Sequence, residues 1–416
     1  MGTVPFAAVA NDPGAHPEGL GRSPRAVPRT VRRLIVLLSP SAVAYGYLTV
    51  LVAGFLPEVG VEPGSVGLIL GAMGISLVVG AIPFGILADR RGRKPILLAG
   101  LVGLPPVLLL FAATTEVPLL VLGGVLAGLV EGMFLSSWNA AIADLTTPEN
   151  REAAFSFSFI LSNVTMGFGF ALPVFFPSIQ AATGLDSAAV HRAALVAVAA
   201  LSVLSPIGIQ RILPGRAAGP PPSREKSHLA DMGPLWKFTA MNALIGLGAG
   251  FIIPLIPTWL FLKFGVPDTY SGPLLGLASL TIGFAAIGSA PLSRRVGPIR
   301  AIVLTQAVAT VFMVALAFSP TALVAGGVYL VRATLMNMAS PILDAFLMGI
   351  IRPDQRGLAS AVNSLFWRLP NSASTVVGGV LLATGDYSLP IFLAAGFYAV
   401  SVTGMYALFR KVRPTT

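Results

Sequence analysis

Apolar residues run through this chain in long blocks separated by short polar interruptions, and twelve such blocks stand at about 33–58, 65–88, 95–114, 117–143, 153–177, 191–212, 235–263, 271–292, 299–318, 321–350, 357–383 and 388–409. A helix of roughly 20 apolar residues crosses the hydrocarbon core of a bilayer. Inside that core every backbone N–H and C=O must be bonded within its own segment, which a helix achieves. Each block therefore predicts a transmembrane helix. An even number of crossings returns the chain to its starting side, so both termini are expected on one face.

The polar stretches divide the chain. Residues 1–32 are rich in Pro, Gly and Arg and lack the apolar core and small-residue cleavage site of a signal peptide. They read as a polar tail. Residues 213–234, with Gly219-Pro220-Pro221-Pro222, split the blocks six and six and read as a linker. The expected units are bundles at 33–212 and 235–410, with a second tail at 411–416. The halves also repeat. Asp89-Arg90-Arg91-Gly92 has a weaker copy in Arg294-Arg295-Val296-Gly297, and Pro148-Glu149-Asn150-Arg151 one in Pro353-Asp354-Gln355-Arg356, both offset by 205 residues.

The link between the second and third blocks reads Gly85-Ile86-Leu87-Ala88-Asp89-Arg90-Arg91-Gly92-Arg93-Lys94. Four cations and one anion cannot enter hydrocarbon, so the chain must turn tightly at the interface. The cations assign that side to the cytoplasm by the positive-inside tendency. This stretch resembles the signature G-x-x-x-D-[RK]-x-G-[RK]-[RK] of the major facilitator superfamily, matched here by Gly85, Asp89, Arg90, Gly92, Arg93 and Lys94. The resemblance implies an all-α membrane protein: twelve transmembrane helices in two pseudo-symmetric six-helix bundles that rock to expose a midplane site alternately to each side. It also implies that spans 1, 4, 7 and 10 line the cavity. The second copy has Arg294 where Asp89 would stand, so the stronger cytoplasmic latch is expected on the first half. Asp144 with Arg151, and Glu149 with the loop cations, are the other gate pairs expected.

Composition agrees with a membrane protein. Of 416 residues 55% are apolar and 11% charged, against about a quarter charged in soluble domains. The net charge of +10 could point to nucleic acid. Yet 23 of the 27 Lys and Arg lie in tails and loops of one side, with Arg192 and Lys263 on the other and Arg332 and Arg368 inside spans. That distribution is topology, and no nucleic-acid partner is expected. Without cysteine there is no disulfide or thiol chemistry, and no metal or cofactor is expected. No phosphate-binding G-x-x-x-x-G-K-[ST] loop occurs, and no nucleophile–base pair supports an enzyme.

Ionisable groups inside spans are costly and so mark function. The deep candidates are Glu131, Arg332, Asp344 and Arg368. Glu131, near the middle of span 4, shares a helical face with Phe134, Leu135 and Trp138. By the resemblance that face looks towards substrate, and Glu131 is the candidate for proton coupling, with a permanently paired structural acid as the alternative. Asn337, Pro341 and Asp344 share a face of span 10, with Arg332 on the opposite side, so a Glu131–Arg332 bridge is poor on angle. Arg368 and Asn371 belong to a polar face of span 11. Arg368 could pair with Asp344 or anchor an anionic substrate. Spans 1 and 7 contribute Tyr45, Tyr47, Asn242 and Trp259, and Pro254 and Pro257 predict a kink. The three histidines, His16, His191 and His228, fall in tails or loops, so none is expected to carry protons at mid-membrane.

Two departures weigh against a standard drug antiporter: span 5 reads Met166-Gly167-Phe168-Gly169-Phe170-Ala171-Leu172-Pro173 instead of G-P-x-x-G-G, and Gly124 stands where many relatives carry a span 4 arginine. The expectation is a secondary transporter, a monomer in the plasma membrane, exporting a small amphipathic organic molecule in exchange for protons. Uptake or facilitated diffusion of an organic anion is the alternative. A non-transporting membrane sensor or scaffold is the alternative of a different class.

Overall fold

The computed structural model describes residues 27–213, 233–351 and 355–412, with the backbone alone at 148, 283–287, 290 and 356–358. The tail 1–26, most of the expected linker, the loop 352–354 holding Pro353 and Asp354, and 413–416 lie outside the described residues. Among the described residues the helical segments line up as twelve rods: α1 (Arg29–Glu58), α2 (Pro63–Arg91), α3 (Arg93–Ala113), α4 (Val117–Asp144), α5 (Glu149–Thr183), α6 (Ser187–Ile212), α7 (Gly233–Phe264), α8 (Asp268–Val296), α9 (Pro298–Ala317), α10 (Ala322–Ile350), α11 (Arg356–Ala383) and α12 (Leu389–Phe409).

Ten of these rods are long and apolar enough to cross a membrane. The other two, α8 and α11, have 29 and 28 residues but carry more polar side chains. Packing explains the difference. α11 lies along α2 and α8 along α5, each against the opposite half, so neighbouring helices stand where lipid would otherwise be.

Several rods begin four residues before their apolar block. Hydropathy marks hydrocarbon, whereas a helix starts at its cap. At α6, for example, the Asp186 side chain accepts from Ala189 N at 2.8 Å. Five rods are interrupted, α5 by a 3₁₀ turn at Leu172–Phe175 and α6 at Val203 among them. α1 loosens into a π-helical turn at Leu51–Phe55. α7 breaks after Gly250, ahead of Pro254 and Pro257. α10 breaks at Ala339, ahead of Pro341, whose ring cannot follow a straight helix.

The 205-residue offset appears in the backbone. Gly92 closes α2 at φ 94°, ψ 153°, and Gly297 closes α8 at φ 86°, ψ 155°. Only glycine occupies that region comfortably. Gly92→Ala is expected to cost about 1–3 kcal/mol, read as a lowered melting temperature in detergent, with Gly297→Ala giving a similar drop.

The two halves meet at the end of the bundle away from the termini, called here the distal end. Three hydrogen bonds cross between the halves there. Thr258 Oγ1 donates to Ala53 O at 2.5 Å, His191 Nε2 lies 2.9 Å from Asp268 Oδ2, and Asp268 N donates to Glu58. Ala53 and Thr258 are themselves 205 residues apart, so their bond lies on the pseudo-twofold axis. Beside it, Gly67 and Gly71 of α2 press on the carbonyls of Thr375 and Ser372, and Gly272 and Gly276 of α8 on those of Phe170 and Gly167. Each of these contacts maps onto another by the same offset. A Cβ on Gly67 would stand 2.8 Å from Thr375 O, and one on Gly276 2.7 Å from Gly167 O. At the proximal end, near the termini, the side chains of Asp89, Arg90, Arg91 and Asp344 are exposed.

Candidate functional site

At half depth the first half encloses a hollow between α1, α3, α4 and α5, bordered by Leu38, Tyr45, Leu104, Glu131, Phe134 and Met166. Its cavity volume is about 160 Å³, smaller than the roughly 300–1,000 Å³ of pockets that hold drug-sized ligands. The lining is mostly apolar. Glu131 is its one carboxyl, and Tyr45 Oη donates to Glu131 Oε2 across the α1–α4 contact. From the other half, the Arg368 charge on α11 acts on both Tyr45 and Glu131. The acid and the phenol are hydrogen-bonded, and the Arg368 charge reaches them from across the boundary of the two halves.

Arg368 makes no ion pair with Asp344, which is exposed on α10. The expected pair fails because α10 breaks between Met338 and Ser340 and the straight-helix register no longer carries Asp344 towards α11. Nor does Arg332 reach Glu131. It is buried at 4% exposure inside the second half, where its Nη2 donates to Tyr398 Oη at 2.5 Å and its guanidinium lies 5.4 Å from the Tyr398 ring centre.

Of the expected cavity residues Tyr45 and Phe134 border this hollow, and the others do not. Trp138 is packed in the first-half core at 5% exposure, with Nε1 donating to Ser158 Oγ at 3.1 Å. Trp259 is fully buried near the distal end, donating to Tyr387 O at 2.8 Å. Asn242 donates to Asn363 Oδ1 at 3.0 Å and Asn371 to Gly246 O at 3.1 Å, so both tie α7 to α11. Asn337 bonds back to Ala333 O of its own helix at 2.9 Å. Met166, Ser162 and Leu104 border the hollow but were not expected to. Nothing in an all-apolar stretch of α3 distinguishes a cavity face from a lipid face.

The motif between α2 and α3 acts within the first half. Arg93 pairs with Asp144 at the end of α4 and donates to Ala140 O at 2.5 Å. Lys94 donates to Gln210 O at 2.8 Å and Leu213 O at 2.5 Å, closing the carbonyl end of α6. Asp144 therefore takes Arg93 in place of the expected Arg151. Arg151 instead caps Ala143 O and Thr146 O at 3.3 and 3.4 Å. Glu149 bonds to Thr147 rather than to the loop cations. Gly85 packs near Ser136, and Asp89 and Arg90 stay exposed at the proximal mouth. No group of three or more His, Cys, Asp or Glu able to hold a metal ion occurs among the described residues.

Comparison with known proteins places this geometry. The chain is similar to the tetracycline resistance protein, class C, of Escherichia coli, 26% identical over 382 residues, covering 85% of this chain and 89% of that one. Over 113 residues it is 30% identical to the inner membrane transport protein YajR of Escherichia coli K12, a match spanning 27% of this chain and 24% of YajR. In structure it resembles a bacterial homolog of the human lysosomal transporter Spinster, with a TM-score of 0.74 at 15% identity, covering 94% of this chain and 98% of the other. It also resembles a mutant form of the nucleoside transporter NupG, with a TM-score of 0.72 at 15% identity over 92% and 100% of the two chains. YajR and NupG are named as transport proteins, and the Spinster homolog after a transporter. The model of the Major Facilitator Superfamily matches residues 34–375, and the chain, an integral membrane transporter, belongs to that family.

Proposed function

We propose that this transporter exports a small amphipathic organic molecule in exchange for protons, with Glu131 as the proton-carrying group. One observation carries the reading: the only carboxyl in a mostly apolar, half-depth hollow is held by Tyr45 and faced by the Arg368 charge of the other half. A carboxylate in such surroundings is costly unless it is neutralised. Protonation or a substrate's own positive or donor group each meets that need, and competition between them is exchange. The tetracycline and multidrug resistance names of two relatives support the direction. The chain works as a monomer in the plasma membrane of the cell, with both termini and the Arg93–Asp144 and Lys94 contacts on the cytoplasmic side. The distal seam is then the outer gate, closed here, and the site opens to the cytoplasm. When the cycle turns, Asp89 at the cytoplasmic mouth latches onto the other half.

The test is flux of a compound panel in proteoliposomes with and without a pH gradient. Glu131→Gln should abolish gradient-driven flux, at least tenfold, and keep substrate exchange. An unchanged gradient response in that variant would remove Glu131 from the role.

A second reading rests on a separate observation. With Asp344 not paired to it, Arg368 retains a charge that can anchor an organic anion once Glu131 is protonated. Loss of a charged hydrogen bond of about 1.5–3 kcal/mol in Arg368→Gln would then weaken binding of an anionic compound by about tenfold or more, measured by tryptophan quenching, and leave neutral compounds unaffected.

A further inference from the structure

The distal seam contains a titratable pair that half-depth proton exchange does not use. His191, near the start of α6, and Asp268, the first residue of α8, come from opposite halves, and each side chain is about 2% exposed or less. Phe55 stacks on the imidazole with ring centres 3.6 Å apart, and Phe176 meets its edge at 4.7 Å. The two ring nitrogens settle the proton count. Nδ1 lies 2.7 Å from Ser187 O, a carbonyl that can only accept, and 3.4 Å from Ser187 Oγ, and the shorter contact assigns hydrogen to Nδ1. Nε2 lies 2.9 Å from Asp268 Oδ2. A bare nitrogen lone pair facing a bare carboxylate at that distance is repulsive, so a proton must lie between them.

The surroundings supply no other neutralising charge. Asp268 Oδ1 has no hydrogen-bond partner among the described residues. Glu58 of α1 accepts from Asp268 N, placing a second carboxyl beside the first. Tyr47 of α1 donates to His191 O at 3.2 Å and does not reach the ring. Lys263 at the end of α7 is directed away, donating to Ala317 O at 2.7 Å.

We propose that His191 and Asp268 form a proton-binding site that closes the distal gate: the seam shuts only when one proton bridges Nε2 and Oδ2, and loses that bridge on deprotonation. Closing joins a neutral Nδ1–H imidazole, a carboxylate and one proton from the distal medium. Opening returns the proton to the same medium, and no other bond changes. This proton therefore biases the conformational equilibrium without being carried across. Acid on the distal side favours the state open at the proximal end, which returns the empty carrier to its loading side. The inference rests on the alternating-access reading and is independent of Glu131.

The natural chain has no cysteine, so spin-label pairs can be placed without background. Val59→Cys with Thr384→Cys reports the distal end, and Arg91→Cys with Arg295→Cys the proximal end, all four positions being exposed. Distances are read by pulsed electron resonance on the full chain in nanodiscs at pH 5 and pH 9. The expected result is a short distal distance at pH 5 and at least a tenfold rise in the distal-open population at pH 9, with the proximal distance moving oppositely. Glu131→Gln should keep that shift. His191→Gln should abolish it and stay closed, because its amide donates to Asp268 at either pH, and Asp268→Asn should flatten it. Persistence of the shift in His191→Gln overturns the inference, as does a wild-type distance unchanged by pH while Gly67→Val lengthens it. Should Gly67→Val also leave both pairs unmoved, alternating access itself fails, and the latch with it.

Discussion

Gly67→Val and Gly272→Val are each expected to spread the distal end apart, reduce substrate flux at least tenfold, and leave thermal stability nearly unchanged. A Cβ at Gly67 would meet Gly379 Cα and Thr375 O, both at 2.8 Å, and one at Gly272 would meet the carbonyl of Phe170. These are backbone atoms and cannot rotate away. Overpacking of this kind costs about 1–3 kcal/mol, and every ~1.4 kcal/mol is a factor of ten in an equilibrium. The strain can be relieved without unfolding, because the struck atoms belong to the other half and the halves can part as bodies. The lesion therefore appears in the balance of states and hardly in the melting temperature. Maleimide labelling of Ala53→Cys, buried at the seam, should be fast in either valine variant and slow in the parent. Slow labelling in both would show that the seam does not govern opening.

The extent of each rod is legible in the sequence because the boundary between hydrocarbon and water is an energetic step of several kcal/mol per backbone group. The breaks in α7 and α10 are legible too, since Pro254, Pro257 and Pro341 remove donors wherever they stand. Facing is not legible in the same way. In a soluble helix the polar stripe marks solvent. In α4 the lipid face, the core face and the cavity face are all apolar, so Trp138 and Phe134, four residues apart, read alike. Trp138 is buried against Ser158 while Phe134 borders the hollow.

His191 was obscured for a different reason. It stands at the very edge of its apolar block 191–212, where span gives way to loop, and its partner lies 77 residues away. The acid pairs were misassigned by proximity in sequence: Arg151 is seven residues from Asp144, yet Arg93, brought in by the α2–α3 turn, takes the carboxylate. The glycine contacts were present as spacing. Gly67 with Gly71 and Gly272 with Gly276 are two small-xxx-small pairs at the repeat offset, but spacing alone does not say which helix they meet.

Gly128→Val makes the same chemical change as Gly67→Val and should have the opposite outcome: loss of folded protein. Gly124, Gly128 and Gly132 form one face of α4, each a turn apart, and they press on the carbonyls of Ile69, Met73 and Leu77 along α2. A Cβ at Gly128 would collide with Met73 O and Ser76 Oγ, and at Gly124 and Gly132 it would stand 2.9 Å from Ile69 O and Leu77 O. Here both helices belong to the first half, and α2 and α4 make one of the most extensive contacts in the molecule. They cannot part without opening the bundle to lipid, and lipid offers no partner for Ser76 or Glu131. The cost, about 3 kcal/mol or more at the upper end of overpacking, falls on folding itself. Gly128→Val should appear as a severalfold drop in monodisperse yield on size-exclusion chromatography, with the distal distance unchanged in whatever folds. A well-expressed Gly128→Val with an altered distal distance would mean that α2 and α4 move relative to each other during the cycle, and that the first half does not rock as one body.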